Sequence, residues 1–246
     1  MPLPDQPAPD VSAIDDGSPA GAGERSLAGR IQHTLIRPGV RSEELERHCR
    51  ECLEYGFQAA MIPANWVPEA KQLLAGSAVR VASAVDFPYG AMTTAGRVAE
   101  ARAIIEAGAD EIDIGVPLGW FLAGQIDRFR DDLAAVVRAA APAPVKVMLE
   151  LPLVPRDRWD ALVDAAVAAG VRYVKNASSG AVGVATPEEI AYLRARVPAT
   201  VGVKASGGIK TAAQVRALLA AGADLVGTSN GIAIVTGSAR PADTSY

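Results

Sequence analysis

The chain has 246 residues, half of them hydrophobic, and a formal charge of −4, enough apolar material for one sizeable core at a length that single α/β barrels commonly use. The mildly acidic balance excludes the basic stripe that a nucleic-acid partner needs and the polybasic patch that lipid headgroups attract. No apolar run approaches the roughly 20 residues of a membrane helix, and no charged segment followed by an apolar one opens the chain, so a cytoplasmic protein with a small-molecule substrate is expected.

Residues 1–24 hold Pro2, Pro4, Pro7, Pro9 and Pro19 among small and acidic residues without apolar periodicity, the composition of a disordered leader. A folded unit is expected over 25–236 and a flexible tail over 237–246. A first strand reads over 31–36 and stops at Arg37-Pro38-Gly39. Ser42 then serves as N-cap of a helix that places Glu43 and Glu44 in its positive first turn and runs to Gly56. On that helix Leu45, Cys49, Cys52 and Leu53 share a stripe. The C-x-x-C beside His48 lacks further ligands for a zinc site, so packed core thiols are expected.

The same grammar recurs. Strands read over 57–63, 79–88, 111–116, 145–150, 171–177, 200–207 and 224–229, and helices lie between them. Val98, Ala101 and Ile105 mark one helical face, and Trp159, Leu162, Val163, Ala166 and Val167 another. Thr186-Pro187-Glu188-Glu189 and Thr211-Ala212-Ala213-Gln214 read as capping boxes, while Gly56, Gly108, Gly170 and Gly222 stand where a helix stops before a strand. Eight such units predict an α/β fold closed into a single (β/α)8 TIM barrel. An open doubly wound sheet is the runner-up, but no G-x-G-x-x-G opens the first helix.

Lysine in a buried strand is costly unless it is paired or employed. Lys146, Lys175 and Lys204 stand 29 residues apart (146 to 175, 175 to 204), and equal spacing predicts equal stations on consecutive strands. Three ammonium groups at similar height would depress one another's pKa, which suits Lys175 to form a Schiff base with a carbonyl. Asp113 and Glu150 are the acids expected to balance them inside the barrel. Loops of small residues follow the last three strands: Ser178-Ser179-Gly180, Gly207-Gly208, and Gly227-Thr228-Ser229. Their backbone N–H groups are suited to an anion such as phosphate.

F-P-Y-G at 87–90, A-G-A-D-E-I-D at 107–113, V-K-V-M-L-E at 145–150, V-K-N-A-S-S-G at 174–180, V-G-V-K-A-S-G-G-I-K-T at 201–211 and G-T-S at 227–229 together resemble the deoxyribose-phosphate aldolase family, in family order over most of residues 30–235. The resemblance implies a class I aldolase, a lyase of carbohydrate catabolism that reversibly cleaves 2-deoxy-D-ribose 5-phosphate to acetaldehyde and D-glyceraldehyde 3-phosphate without metal or cofactor. It implies Lys175 as the Schiff-base nucleophile, Lys204 as the charge that lowers its pKa and Asp113 as the proton carrier. Gly207, Gly208, Thr228 and Ser229 would hold the phosphate.

Two departures stand out. The family's Lys-Thr-Ser-Thr-Gly becomes Lys175-Asn176-Ala177-Ser178-Ser179-Gly180, one residue longer and altered at positions expected beside the substrate. Gln32-His33-Thr34 stands where the family commonly has aspartate before His-Thr. Two further readings therefore stay open: a Schiff-base aldolase or lyase acting on another sugar-like biosynthetic compound, and a catalytically silent barrel that binds a phosphorylated ligand, or a protein through the leader. Exposed barrel helices often pair, which makes a homodimer the expected association, with no face marked in the sequence.

Overall fold

The alternation of strand and helix closes on itself. In the computed structural model, which describes residues 27–238, eight parallel strands follow chain order around a closed barrel: β1 (Ile31–Thr34), β2 (Ala59–Met61), β3 (Arg80–Val85), β4 (Glu111–Gly115), β5 (Val145–Met148), β6 (Tyr173–Lys175), β7 (Gly202–Ser206) and β8 (Leu225–Thr228). β8 pairs back onto β1 through Val226 opposite Ile31 and Thr228 opposite His33, so no edge is left unpaired. The expected TIM barrel is the fold observed. The leader at 1–24 and all but the first two residues of the expected tail lie outside the described residues.

Around the barrel run α1 (Ser42–Tyr55), α2 (Val67–Leu73), α3 (Thr94–Glu106), α4 (Leu118–Leu122), α5 (Ile126–Ala140), α6 (Trp159–Ala168), α7 (Pro187–Arg196), α8 (Ala212–Ala220) and α9 (Gly231–Thr236). None is long and apolar enough to cross a membrane, among the described residues. The strands are shorter than the apolar runs that announced them, several at both ends, as β2 at Ala59–Met61 and β7 at Gly202–Ser206 show. α4, inserted between β4 and α5, has no counterpart in the sequence reading; its five residues are too short to show a period.

Local signals hold with corrections. The residue capping α1 is Arg41, whose N–H is taken by the Glu44 carboxylate at 3.0 Å, and Ser42 is already inside the helix. Gly56 ends α1 at φ 67°, a left-handed conformation that glycine adopts without a Cβ penalty. Leu45, Cys49 and Cys52 are buried, both thiols free, whereas Leu53 is 44 % exposed and drops out of the stripe. His33, His48 and Glu51 bring ligand-type atoms within 4.8 Å of one another. The two imidazoles are stacked, with ring planes only 19° apart, so their in-plane lone pairs do not converge on one ion. Thr211 forms the full capping box of α8. Thr186 forms half of one: its hydroxyl accepts from Glu189 N at 3.2 Å, but the Glu189 side chain is held by Asn176.

The main apolar core lies between the strands and the helices. Inside the barrel the only apolar cluster among the described residues is small, Ala59, Met61 and Ala82, which leaves room for long polar side chains. One charge network braces the barrel from outside. Arg97 on α3 is fully buried, and its guanidinium faces Asp86 at 3.2 Å and Asp132 of α5 at 3.1 Å while it donates to the Gly115 carbonyl at 2.5 Å. It thereby ties together α3, α5 and the C-terminal ends of β3 and β4. Removing one partner of a buried pair leaves the other charge desolvated and unpaired. Arg97→Met is expected to cost about 3–5 kcal/mol in urea unfolding; a loss below about 1 kcal/mol, the worth of a surface ion pair, would mean the network does not brace these ends.

Candidate active site

Alternate residues of a strand share a face, so Glu111 and Asp113 of β4 enter the barrel together, beside Lys146 of β5, Lys175 of β6 and Lys204 of β7. Lys175 lies opposite Lys204 and Asp113 opposite Lys146. Lys146, however, pairs with Tyr173, and it is Met148 that meets Lys175. Lys146 therefore sits two residues deeper than the other two lysines, contrary to the equal height expected from the 29-residue spacing. Spacing fixes the station in a sequence repeat; the β5–β6 register fixes the height.

Asp113 is the hub. Its Oδ2 accepts from Lys204 Nζ at 2.6 Å and Lys175 Nζ at 3.0 Å, and its Oδ1 faces Lys146 Nζ at 3.4 Å. Lys146 is also 3.1 Å from Glu111 Oε2. Lys204 Nζ donates in addition to Gln32 Oε1. Gln32 Nε2 donates in turn to Glu111 Oε1 at 2.5 Å and Gln58 Oε1 at 2.7 Å. All of these except Gln58 are buried or nearly so.

Burial alone would raise the Asp113 pKa, but Lys204, Lys175 and Lys146 outweigh it and hold the carboxyl well below its usual range. Burial pushes Lys204 down from 10.5 to about 7; Asp113 opposes that shift, and the charges of Lys175 and Lys146 add to it. Two carboxylates, Asp113 and Glu111, face three lysines, so Asp113 is held ionised while Lys204 is pushed toward its neutral form. Loss of solvent is the leading cause of the downward shift, and the repulsion between lysines expected from the sequence adds to it.

Glu150 is not part of this set. The chain leaves β5 at Met148, and Glu150 stands in the left-handed region at φ 54°, where its Oε2 accepts from Ser178 N at 3.0 Å. Its companion in the barrel is replaced by Glu111. Burial pushes the Glu150 pKa up, against the Ser178 hydrogen bonds and the charge of Lys175.

Above the lysines opens a cavity of about 540 Å³, lined by Lys175 and Lys204 and by the loops carrying Ser178, Ser179 and Gly180, then Gly207, Gly208 and Lys210, then Gly227, Thr228 and Ser229. Asp113, Lys146 and Glu150 do not line it. Asn176 and Ala177, the altered positions of the nucleophile strand, are fully buried and also off the cavity, contrary to the expectation that they flank the substrate. Asn176 instead accepts from Ser206 N at 2.9 Å and donates to Glu189 Oε2 at 3.1 Å, which fixes the loop to β7 and α7. The Thr228 hydroxyl is also committed, donating to the Ile209 carbonyl at 2.7 Å. At Gly207, φ 109°, a Cβ would come within 2.1 Å of the Gly183 carbonyl oxygen, so only glycine lets the two loops close on each other.

Sequence reasoning missed Glu111 and Lys210, and marked Gln32 only as a departure from the family's aspartate. Glu111 had a usable signal, since it lies two residues before Asp113 and so shares its face. The motif pointed to Gln32, but its partners Lys204 and Glu111 lie too far along the chain to be read from it.

No protein-family model matches the chain. A curated deoxyribose-phosphate aldolase of Brevibacillus brevis is 38% identical over 208 residues, spanning 85% of this chain and 94% of its own length. Another from a Geobacillus species is 36% identical over 224 residues, 91% of this chain and 100% of its own. The tetrameric deoxyribose phosphate aldolase of Aeropyrum pernix superposes with a TM-score of 0.79, with 31% identity over 86% of this chain and 90% of that one.

The depressed amine makes stability depend on pH with a definite sign. Above about 7 the folded protein holds fewer protons at Lys204 than the unfolded chain, whose lysine titrates near 10.5, so this group adds stability as pH rises between those values. Chemical unfolding from pH 7 to 8.5 is expected to show a component approaching about 1.4 kcal/mol per pH unit that is missing in Lys204→Met; equal slopes in the two proteins would refute it.

Proposed function

This chain belongs to the deoxyribose-phosphate aldolase family, and from that premise we propose that it is a class I, Schiff-base aldolase that reversibly cleaves 2-deoxy-D-ribose 5-phosphate to acetaldehyde and D-glyceraldehyde 3-phosphate. The observation that carries the reading is one carboxylate oxygen shared by two lysines, Lys175 at 3.0 Å and Lys204 at 2.6 Å, at the floor of a cavity rimmed by glycine and serine loops.

Lys175 Nζ, as the free amine, attacks the aldehyde carbon of the open-chain sugar, and loss of water from the carbinolamine leaves an iminium. A proton leaves the 3-hydroxyl, the bond between carbons 2 and 3 breaks, and its electron pair flows into the iminium to give an enamine and free glyceraldehyde 3-phosphate. Protonation of the enamine carbon and addition of water then release acetaldehyde and restore the lysine. Asp113 and Lys204, both in contact with the site of attack or with its lysine, are the groups placed to carry protons among these steps, directly or through a water. The iminium is the electron sink, so this route uses no metal and no cofactor.

The phosphate is assigned to the loops after β6, β7 and β8, where Gly180, Gly207, Gly208, Ser229 and the positively charged Lys210 line the cavity and backbone amides of such small-residue loops suit an anion. Because Asn176 and Ala177 lie off the cavity, their change from the family pattern alters how the loop is held and leaves the substrate's surroundings to Ser178, Ser179 and Gly180. That favours the family substrate over a different sugar-like compound. A catabolic role, a cytoplasmic location and association as a homodimer belong to the same proposal; sedimentation measures the last.

Borohydride added with acetaldehyde is expected to fix a two-carbon adduct on Lys175, located by peptide mass mapping, and the same protein is expected to turn over 2-deoxyribose 5-phosphate. Lys175→Ala is expected to lose both the adduct and the turnover. An adduct mapped to any other lysine, or full turnover in Lys175→Ala, would sink the assignment.

A further inference from the structure

The barrel floor holds an unequal set of charges. Lys146, Lys175 and Lys204 face Asp113 and Glu111, with Arg80 3.7 Å from Glu111 at the other mouth of the barrel. Glu150, the remaining acid near Lys175, is engaged with the Ser178 amide. Around Lys204 in particular, β4 contributes Asp113, β5 and β6 contribute Lys146 and Lys175, and β8 contributes only Leu225 and Gly227. From β1 comes Gln32, and its orientation is fixed by its partners: a lysine amine on one side and an acceptor-only carboxylate on the other turn its Oε1 to Lys204 and its Nε2 to Glu111.

We propose that Gln32 is a positioning residue for the aldol chemistry: it meets Lys204 with an uncharged oxygen at a station where a carboxylate would add a counter-ion, which leaves the lysine set one anion poorer and lets it release a proton at lower pH. This role rests on the Schiff-base reading above. Lys204 and Lys175 both donate to Asp113 Oδ2, so the shared carboxylate links the amine beside Gln32 to the one that attacks the carbonyl. The downward shift of Lys204, caused first by burial, agrees with such a deficit. Through Nε2 the same side chain orients Glu111 toward Lys146, so Gln32 joins the two acids of the floor without adding to their charge.

Gln32→Asp and Gln32→Asn shorten the side chain equally, so comparing them cancels the effect of the lost methylene and leaves the charge, together with the amide N–H that only Asn can offer to Glu111. The readouts are the pH dependence of kcat/KM for cleavage of 2-deoxyribose 5-phosphate and of the rate at which borohydride traps the acetaldehyde adduct. An added anion favours the ammonium form, so the acid limb of both profiles in Gln32→Asp is expected to lie about one pH unit or more above that in Gln32→Asn. Glu111→Gln removes an anion and is expected to move the limb the other way, a result that stands even if the Asp variant fails to fold. Coincident limbs for Asp and Asn, or an unmoved limb in Glu111→Gln, would overturn the role of Gln32 in a parent protein that still traps aldehyde. A parent that neither traps an aldehyde nor cleaves the sugar would instead overturn the aldolase reading, and this role with it.

Discussion

Everything in the barrel interior depends on a single buried carboxylate. Asp113 is fully buried and stands within 3.4 Å of three lysine amines. Moving an ion out of water costs several kcal/mol even after the protein relaxes, and only close opposite charges offset that cost. Asp113 stays ionised because the lysines around it outweigh its burial, and their charge is tolerated because it stays ionised. The match is incomplete, and the incompleteness is useful: a fully neutralised lysine would hold its proton and could not attack a carbonyl.

The fold makes space for this arrangement by using small residues where a barrel ordinarily packs branched ones. Ala59 and Ala82 face the interior from β2 and β3. At Gly227 a Cβ would stand 3.1 Å from Lys204 Cε, and at Gly202 it would come within 2.2 Å of the Tyr173 ring. Side chains of ordinary size at these stations would push the lysines off the hub. The same economy appears at the rim, where glycines let the loops after β6 and β7 lie against each other.

Polar residues of the barrel interior and its C-terminal rim divide by what they hold. Asp113, Lys175, Lys204, Gln32 and Glu111 hold one another. Glu150, Asn176, Glu189 and Thr228 hold loops: the Ser178 amide, the Ser206 amide, the Asn176 side chain and the Ile209 carbonyl are their partners. Arg97 braces the ends of β3 and β4 from outside. A reacting lysine needs its neighbours fixed to within a fraction of an ångström, and in this barrel much of that rigidity comes from buried hydrogen bonds to backbone that never touch the cavity.

Local chemistry was legible in the sequence, and chemistry between distant segments was not. Strand and helix alternation, the glycine stops and the Thr211 capping box depend on residues within a turn or two of one another, so the closed barrel, and with the family motifs Lys175, Lys204 and Asp113, could be read from the chain. The height of Lys146, the exchange of Glu150 for Glu111 and the withdrawal of Asn176 from the cavity depend on register and on the exit of β5 from the ladder. Those are set by pairing between segments about 30 residues apart. Gln32 and Lys204 lie 172 residues apart, and only barrel closure between β1 and β8 brings them together. The sequence by itself determined which charges enter the barrel; the tertiary structure decided which of them meet, because the energy of a buried charge is fixed by its neighbours in space and not by its neighbours along the chain.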